Sequence, residues 1–524
     1  MDAAPLNALQ GAAINSATDQ PVRARPFATS AVDFRDVQGL VRFGYRRLTE
    51  ASFLLLTIRD MEAARRWQGT APVSNAVERA AAPETALQVA WTREGLETLG
   101  ASEDLLLGFS AEFLSGASGD ESRSRLLGDV GASAPDQWAW GGPGRVPHLL
   151  VMAYAQPGHL HDWIAVVKGA EWDVAVHSIA CLETTDLGGF EPFGFADGVS
   201  QPELDWACLR QPKGDQLTYS NVVSLGEFLL GYPNEYGRYT DRPLLSVEDV
   251  PSRGLPFAED YPGLRDLGRN GCYLVLRTLE QDVGGFWRFL DAEASKRTAR
   301  DTGAAISSQP AAREALATAM VGRRRDGTPL LPLSAEGIPG VDAGNAAQNQ
   351  FTFDSDADGI VCPFGAHIRR ANPRNADLPT PAVHGLRRLL HTLGLGTRGL
   401  HSDAKSSTRF HRLLRRGREL GARVTTEDAI TSTSDTGPHG IHFICLVANI
   451  ARQFEFLQSA WVMSTKFDAM SGKAIPSWAV ASRFPAPPKP ITSPFLAKTT
   501  FATGSPGCRA SSPSKAEPTS FFRV

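Results

Sequence analysis

The order of apolar and helical stretches between residues 51 and 179 constrains the fold of this chain more than any other feature. Apolar runs of strand length alternate there with stretches whose apolar residues recur at helical spacing. Strands are predicted at 51–58, 86–91, 148–154 and 172–179, and helices at 60–67, after Thr92 as N-cap, and at 158–168. The order strand, helix, strand, strand, helix, strand is that of a split βαβ unit, an antiparallel sheet covered by helices on one face.

A second half of the chain repeats this plan, so that an α+β fold of two halves is predicted. Its strands are expected at 272–277 and 440–447, and its helices at 282–299 and 452–461. The predicted organisation is a flexible arm (1–34), an N-terminal half (35–215), a connector (216–264), a C-terminal half (265–483) and a Pro- and Ser-rich tail (484–524). The tail is expected to be disordered or loosely docked, and residues 115–147, rich in Gly, Ser, Pro and Asp, to be loop.

Composition excludes several classes of partner. The 524 residues carry 53 Lys and Arg against 57 Asp and Glu, a formal net charge of -4, which argues against nucleic acid or an anionic membrane as a partner. No run of about 18 apolar residues occurs, and the N-terminal residues lack the apolar core of a signal peptide. The 6 cysteines are scattered without metal-ligand spacing. These features predict a cytoplasmic protein without a membrane span.

The stretch Gly194-Phe195-Ala196-Asp197-Gly198 sets one carboxylate between two glycines and among aromatic residues. Such a pattern is typical of a tight turn that presents an acid to an apolar pocket. Asp-Gly is also an ordinary turn dipeptide, so this stretch alone does not establish a site.

A second stretch, Cys362 to Arg374, contributes a histidine from a distant part of the chain. His367 has no other histidine three or four residues away, which speaks against a multi-histidine metal cage. A lone axial histidine is how a haem is held, because the porphyrin supplies the other four ligands. The alternative is a structural histidine that bonds to a backbone carbonyl.

Two further patterns bear on the chemistry. The run 409–418 contains Arg415 and Arg416, and a guanidinium beside an open iron face would stabilise the charge that develops when peroxide is cleaved. The acidic run 354–359 is similar to the start of an EF-hand calcium loop. Its twelfth position is Gly365, where a bidentate glutamate is needed, so a calcium loop is not predicted.

Taken together, the stretches 194–198, 362–370 and 413–417 resemble the signature of the dye-decolourising peroxidases. Supporting likeness is found at 226–232, 322–330 and 448–456, and the resemblance runs from about residue 35 to 482. It implies two ferredoxin-like halves, with haem b held in the C-terminal half. The site residues implied are His367 as proximal iron ligand, Asp197 as distal acid/base, Arg415 as distal arginine, and Ile441, Phe443 and Arg369 as further haem-binding residues.

The same resemblance implies a function. Hydrogen peroxide would be reduced through a ferryl intermediate, and a bulky aromatic, dye-like or other organic reductant would be oxidised. Its electrons would travel through surface Trp or Tyr residues. The likeness also suggests a homo-oligomer. The alternative is a haem-binding or haem-handling protein in which peroxidase turnover is incidental. An aspartate as distal base favours activity in acid, because its ordinary pKa is about 3.9 against about 6.5 for histidine.

Three departures from the family pattern leave questions open. His367 and Arg415 lie 48 positions apart in the chain (367 to 415), a long spacing that results from an insert around 393–407 and keeps Arg416 as the second candidate for the distal arginine. Arg324 stands where relatives commonly have tryptophan. His442 stands where an aliphatic residue is expected, which raises the question of how polar the pocket is.

Overall fold

A computed structural model describes residues 31–210, 219–298, 308–335, 337–341, 347–375, 408–432, 437–464 and 519–523. The chain forms an α+β fold around one antiparallel sheet of nine strands. The insert at 393–407, residues 1–30 of the predicted arm and most of the predicted tail lie outside the described residues.

Thirteen strands are described. They are β1 (Glu50–Ile58), β2 (Thr85–Trp91), β3 (Leu149–Ala155), β4 (Val176–Glu183), β5 (Glu203–Asp205), β6 (Val222–Ser224), β7 (Leu244–Ser246), β8 (Leu264–Asp266), β9 (Tyr273–Glu280), β10 (Leu414–Arg415), β11 (Arg418–Leu420), β12 (Gly440–Val447) and β13 (Thr519–Arg523). Strands β5 and β6 form one small separate sheet, and β7 and β8 form another.

Most of the described helices are short. The α-helices are α1 (Gly39–Phe43), α2 (Met61–Thr70), α3 (Arg93–Thr98), α4 (Glu103–Leu106), α5 (Ala111–Ser115), α6 (Glu121–Leu127), α7 (Leu160–Lys168), α8 (Trp172–Ala175), α9 (Val283–Thr298), α10 (Gln309–Val321), α11 (His367–Ala371) and α12 (Thr426–Thr431). Short 3-10 turns lie at Gly131–Ser133, Pro135–Gln137, Leu225–Glu227, Val250–Ser252, Ala347–Asn349, Asp354–Asp356 and Thr408–His411. Two π-helical segments follow β12, at Ala451–Glu455 and Leu457–Val462.

The N-terminal half contributes four strands in the order β2-β3-β1-β4, all antiparallel. Alternation along β1 explains its position: Leu54 and Leu56 pack against helices α2, α7 and α8, whereas Phe53 and Leu55 face the central core. A strand that is apolar on both faces is typical of one covered on both sides.

The C-terminal half is built on β9 and β12, which pair over the full length of β12 from Gly440 to Val447. Strands β10 and β11 pair with the other edge of β12. The inner faces of both halves share one core, in which Phe53 of β1 packs edge-on against His442 of β12, with ring centroids 6.1 Å apart. The sheet therefore curves so that its two halves face each other.

The end of the chain joins the two halves. Strand β13 lies between β9 and β2, and its register with β9 runs from Thr519 opposite Arg277 to Arg523 opposite Tyr273. The expectation of a disordered or loosely docked tail is therefore wrong for residues 519–523. Composition of the tail does not reveal this strand, because its partners lie more than 200 residues away.

Most of the predicted strands and helices are confirmed, and Thr92 caps α3 by accepting a hydrogen bond from the Gly95 N–H. Two predictions are wrong. Residues 172–175 form helix α8, so the strand begins only at Val176, and the predicted loop 115–147 contains helix α6, which Asp120 caps. None of the helices in the described part of the chain is long and apolar enough to cross a lipid bilayer.

Candidate active site

A largely apolar cavity of about 310 Å³ is lined by residues from both halves of the chain. It collects five of the six residues predicted from the sequence as site residues: Asp197, His367, Arg415, Ile441 and Phe443. The π-helical segments add Phe454, Leu457 and Val462 to its wall. Such irregular helical turns are frequent at functional sites.

The turn that carries Asp197 depends on its glycines. Gly194 has φ +92° and Gly198 has φ +67°, conformations that glycine adopts without strain. The Asp197 N–H donates to the Gly189 carbonyl at 2.9 Å, and the Ala196 N–H donates to the Arg325 carbonyl at 2.8 Å. These bonds fix the backbone on the N-terminal side of Asp197.

Glu191 anchors the same turn from inside. Its carboxylate accepts hydrogen bonds from the N–H groups of Phe193 at 3.0 Å and Phe195 at 2.9 Å, and from Nε2 of Gln281 at 2.9 Å. Burial raises the pKa of Glu191 to about 7, against the opposing effect of these donors. A second acid therefore lies beside Asp197 but is held in a structural position.

Asp197 and Arg415 form an ion pair on the cavity wall. Nη1 of Arg415 lies 3.4 Å from Oδ1 of Asp197, and Nη2 donates to the Ser200 carbonyl at 3.1 Å. The Arg415 backbone is held by Gln201, whose side chain accepts from the Arg415 N–H at 3.1 Å and donates to the Arg415 carbonyl at 3.2 Å. The guanidinium is thus directed at the carboxylate by contacts at both ends of the residue.

The surroundings of Asp197 favour its ionised form. Burial alone would raise its pKa, but Arg415, the Gly198 N–H, Arg46 and His367 together hold the pKa below its ordinary value. About a third of the side chain, 36%, is exposed, and it borders two cavities. A carboxylate of this kind can accept a proton from a molecule that enters the cavity.

His367 opens the short helix α11 and lines the cavity. Burial, aided by the positive charge of Arg415, lowers its pKa to about 4, so the imidazole is neutral at physiological pH. A neutral imidazole is the form that ligates metal ions. His367 is therefore suited to hold an iron.

Arg369, predicted as a haem-binding residue, does not line the cavity. Its side chain is buried and forms an ion pair with Asp356 at 3.0 Å, and it also donates to the Cys362 carbonyl at 2.8 Å. Asp356 in turn accepts from the N–H groups of Ile360, at 2.8 Å, and Val361, at 3.0 Å. The acidic run 354–359 therefore braces the segment before His367.

Ile441 and Phe443 both line the cavity from β12, and their two-residue spacing predicted that they face the same way. His442 between them points to the opposite face. There Nδ1 lies 3.0 Å from Oγ1 of Thr278, and Nε2 lies 3.1 Å from the carbonyl oxygen of Glu183. His442 thus belongs to the core between the halves and does not make the cavity polar.

The two candidate arginines point in different directions. Arg416 donates through Nε to the Leu40 carbonyl at 2.6 Å and through Nη2 to the Val41 carbonyl at 2.8 Å, and it does not line the cavity with His367. Arg324, which stands where a tryptophan is common, is exposed and also outside that cavity. Of the adjacent residues Arg415 and Arg416, only Arg415 forms an ion pair with Asp197 among the described residues.

Three further arginines line the cavity and were not singled out from the sequence. Arg323, Arg374 and Arg412 are buried and donate to carbonyl, amide or hydroxyl oxygens, but none forms an ion pair with a carboxylate of the described residues. Burial, followed by the charges of Arg374 and Arg415, lowers the pKa of Arg323 to about 9. Three buried cations without a carboxylate partner favour an anionic ligand.

A second cavity of about 550 Å³ lies outside the ion pair. It shares Asp197, Gly198, Pro202, Arg415 and Gly417 with the first cavity, so these residues form the wall between them. Its other side carries Arg46 and Trp206. We call it the vestibule.

Known proteins with similar sequences cover most of this chain. No family model matches the chain. Over 460 residues it is 26% identical to dye-decolorizing peroxidase msp1 of Mycetinis scorodonius, covering 84% of this chain and 75% of that protein. Over 454 residues it is 24% identical to dye-decolorizing peroxidase AauDyP1 of Auricularia auricula-judae, covering 84% of this chain and 75% of that protein.

The fold is also similar to solved structures. A dye-decolorizing peroxidase from Auricularia auricula-judae superposes with a TM-score of 0.58 at 23% identity, over 83% of this chain and 85% of the other. A dye-decolorizing peroxidase in complex with cyanide gives a TM-score of 0.59 at 18% identity, over 94% and 97% of the two chains. At these identities the structural matches establish the shared fold.

The fold and the cavity define an α+β enzyme with an acid, an arginine and a histidine on one buried site. Its curated relatives named above are dye-decolorizing peroxidases, and a further relative of Mycetinis scorodonius is named peroxidase 2. The chain is thus similar over most of its length to peroxidases of the dye-decolourising type, the family that the three stretches of sequence resemble.

Proposed function

We propose that this chain is a haem-dependent peroxidase that reduces hydrogen peroxide and oxidises a dye-like aromatic or other organic reductant. The observation that carries the proposal is the convergence of His367 and the Asp197–Arg415 pair on one apolar cavity. These residues come from three distant stretches of the chain. If His367 were only structural and Arg415 only solvated, nothing would require both to line the same cavity as the Asp197 carboxylate.

The residues present fit a haem. Haem b has an iron that takes an axial nitrogen ligand, an apolar macrocycle and two carboxylates. His367 supplies a neutral imidazole, and Ile441 and Phe443 supply part of an apolar wall. Arg323, Arg374 and Arg412 are buried cations that lack a carboxylate partner among the described residues and would pair with the carboxylates of the cofactor.

Two finer features of the fold belong to this proposal. The strand order β2-β3-β1-β4, with helices after β1 and β3, supports a ferredoxin-like N-terminal half. The C-terminal half would be a second such unit, built on β9 and β12, and most of the cavity wall comes from it. We therefore propose that the haem is held mainly by the C-terminal half.

When bound, the haem would supply the iron at which peroxide is cleaved and would store the oxidising equivalents. Asp197, held ionised by its neighbours, accepts the proton from the inner oxygen of peroxide and returns it to the outer oxygen, which leaves as water. Arg415 stabilises the negative charge that develops on the departing oxygen. The apolar wall around Phe443 keeps other water away from these groups.

The organic reductant is supported by a similar structure. A dye-decolorizing peroxidase of the same fold, with a TM-score of 0.58, was solved in complex with 2,6-dimethoxyphenol. We propose that this chain also accepts phenolic reductants of that size. The vestibule, which borders Asp197 and Arg415, is the route by which small molecules would reach the pair.

The test uses the purified protein supplied with haem, as wild type and as Asp197→Asn. We expect both to show the absorption band of bound haem, and only the wild type to change its spectrum rapidly with one equivalent of peroxide and to oxidise 2,6-dimethoxyphenol. A haem-handling protein would bind haem equally in both forms and would show no difference between them in turnover. That result would overturn the proposal.

A further inference from the structure

We propose that Arg46, on the loop between α1 and β1, is a positioning residue that holds the Asp197–Gly198 backbone from the vestibule side. The expected effect of Arg46 on the reaction with peroxide rests on the proposed function. The contact itself is a property of the chain and can be tested without reference to peroxide.

The geometry is a two-pronged clamp. Nη2 of Arg46 donates to the carbonyl of Asp197 at 3.0 Å, and Nη1 donates to the carbonyl of Gly198 at 3.3 Å. The planar guanidinium has two donors at a fixed separation, which matches two successive carbonyl oxygens in a turn. A lysine has only a single compact charged group to offer there.

The turn is shaped to receive this side chain. Gly198 adopts φ +67°, and a Cβ at this position would come within 2.7 Å of Nη1 of Arg46. Any residue other than glycine would therefore displace the guanidinium as well as strain the backbone. The glycine after Asp197 thus has two roles: it adopts the positive φ of the turn, and it leaves space for the Arg46 guanidinium.

No carboxylate of the described residues forms an ion pair with Arg46, although its side chain is exposed to the vestibule. Its position is therefore explained by the two carbonyls alone. The other titratable groups that face Asp197 come from separate elements: Arg415 of β10, His367 of α11, Glu191 of the turn and Glu419 of β11. Arg46 and Arg415 hold the same turn from its two sides.

Three variants separate the roles of the clamp. Arg46→Ala removes both the donors and the charge. Arg46→Gln keeps an amide donor but removes the charge. Arg47→Ala is the matched control, because the neighbouring arginine is exposed and lines neither cavity.

The first readout is hydrogen–deuterium exchange of the segment 194–199 in the purified full-length protein. Loss of two hydrogen bonds, each of modest net strength, should accelerate exchange there by roughly five- to tenfold in Arg46→Ala. Arg46→Gln should recover part of the protection, and Arg47→Ala should match the wild type. Unchanged exchange in Arg46→Ala would overturn the clamp.

The second readout is the pH profile of the reaction of the haem-supplied protein with peroxide. Arg46 is one of the charges that lower the pKa of Asp197, so its removal should move the acid limb to higher pH in both Arg46→Ala and Arg46→Gln. The limb should stay in place in Arg47→Ala. If exchange increases but the limb does not move, Arg46 is structural only and its catalytic role is refuted. If neither the wild type nor any variant reacts with peroxide, the proposed function is wrong. The exchange measurement still tests whether Arg46 holds the turn.

Discussion

Oδ1 of Asp197 lies 3.4 Å from Nη1 of Arg415, although 218 residues separate the two in the chain. The pair forms the wall between the buried cavity with His367 and the vestibule. A proton acceptor and a fixed positive charge are therefore available together where a small molecule would enter.

Replacement of the two neighbouring arginines should have different consequences. Arg415→Ala removes the charge beside Asp197 and should slow the reaction with peroxide by about 10²–10³-fold, the usual effect of losing one such stabilising group. Arg416→Ala removes hydrogen bonds to the carbonyls of Leu40 and Val41 and should instead lower the free energy of unfolding by about 1–3 kcal/mol. Stopped-flow absorbance and thermal unfolding measure the two effects. The reverse pattern would assign the distal role to Arg416.

The pH dependence follows from the ionisation of Asp197. Its pKa is held below the ordinary aspartate value of about 3.9, and the group must be ionised to accept the peroxide proton. The rate of reaction with peroxide should therefore stay level as pH falls from 6 to 5, and its acid limb should be centred below about 3.9. An acid limb centred near pH 6 or 7 would contradict Asp197 as the base.

Stability, unlike this rate, should already decrease as pH falls below about 6.5. Burial lowers the pKa of His442 to about 4, whereas an unfolded histidine titrates near 6.5. Because the unfolded state binds the proton more readily, stability is fully present above pH 6.5 and is lost as pH falls toward 4, by on the order of 3 kcal/mol for this one residue. His442→Gln should reduce the slope of unfolding free energy against pH in this window. An unchanged slope in urea titrations at several pH values would show that His442 does not carry the effect.

The strand at the end of the chain should contribute strongly to stability. Deletion of residues 519–524 removes the strand between β9 and β2, and its lost backbone bonds should lower the free energy of unfolding by on the order of 2–5 kcal/mol. Deletion of Val524 alone, which lies beyond the strand, is the control. Equal thermal midpoints for the two deletions would contradict the position of β13.

Local patterns predicted much of this molecule. The apolar runs of β1 and β12 are read from neighbouring residues, so the two strands followed from the sequence, as did the common direction of Ile441 and Phe443. The family resemblance supplied the roles of Asp197, Arg415 and His367, which lie apart in the chain and whose meeting no local pattern indicates. Those roles remain proposals, supported by the cavity that the three residues share.

What sequence did not predict depends on long-range contacts. Nothing in the composition of the tail indicates that β13 pairs with β9. Arg46 and Arg369 show the same limit: each is the first of two adjacent arginines, and only the fold directs one to the Asp197 turn and the other to Asp356. Glu191 lies three residues before the stretch 194–198, but its hydrogen bonds to the turn could not be read from the sequence.

The most direct test of the central claim is an absorption titration of the protein with haem, in the wild type, His367→Gly and His367→Gly with added imidazole. Removal of the side chain leaves space that free imidazole can occupy as a replacement ligand. We predict a Soret band in the wild type, its loss or shift in His367→Gly, and its recovery with imidazole. An identical spectrum in His367→Gly without imidazole would contradict the assignment of His367 as the iron ligand.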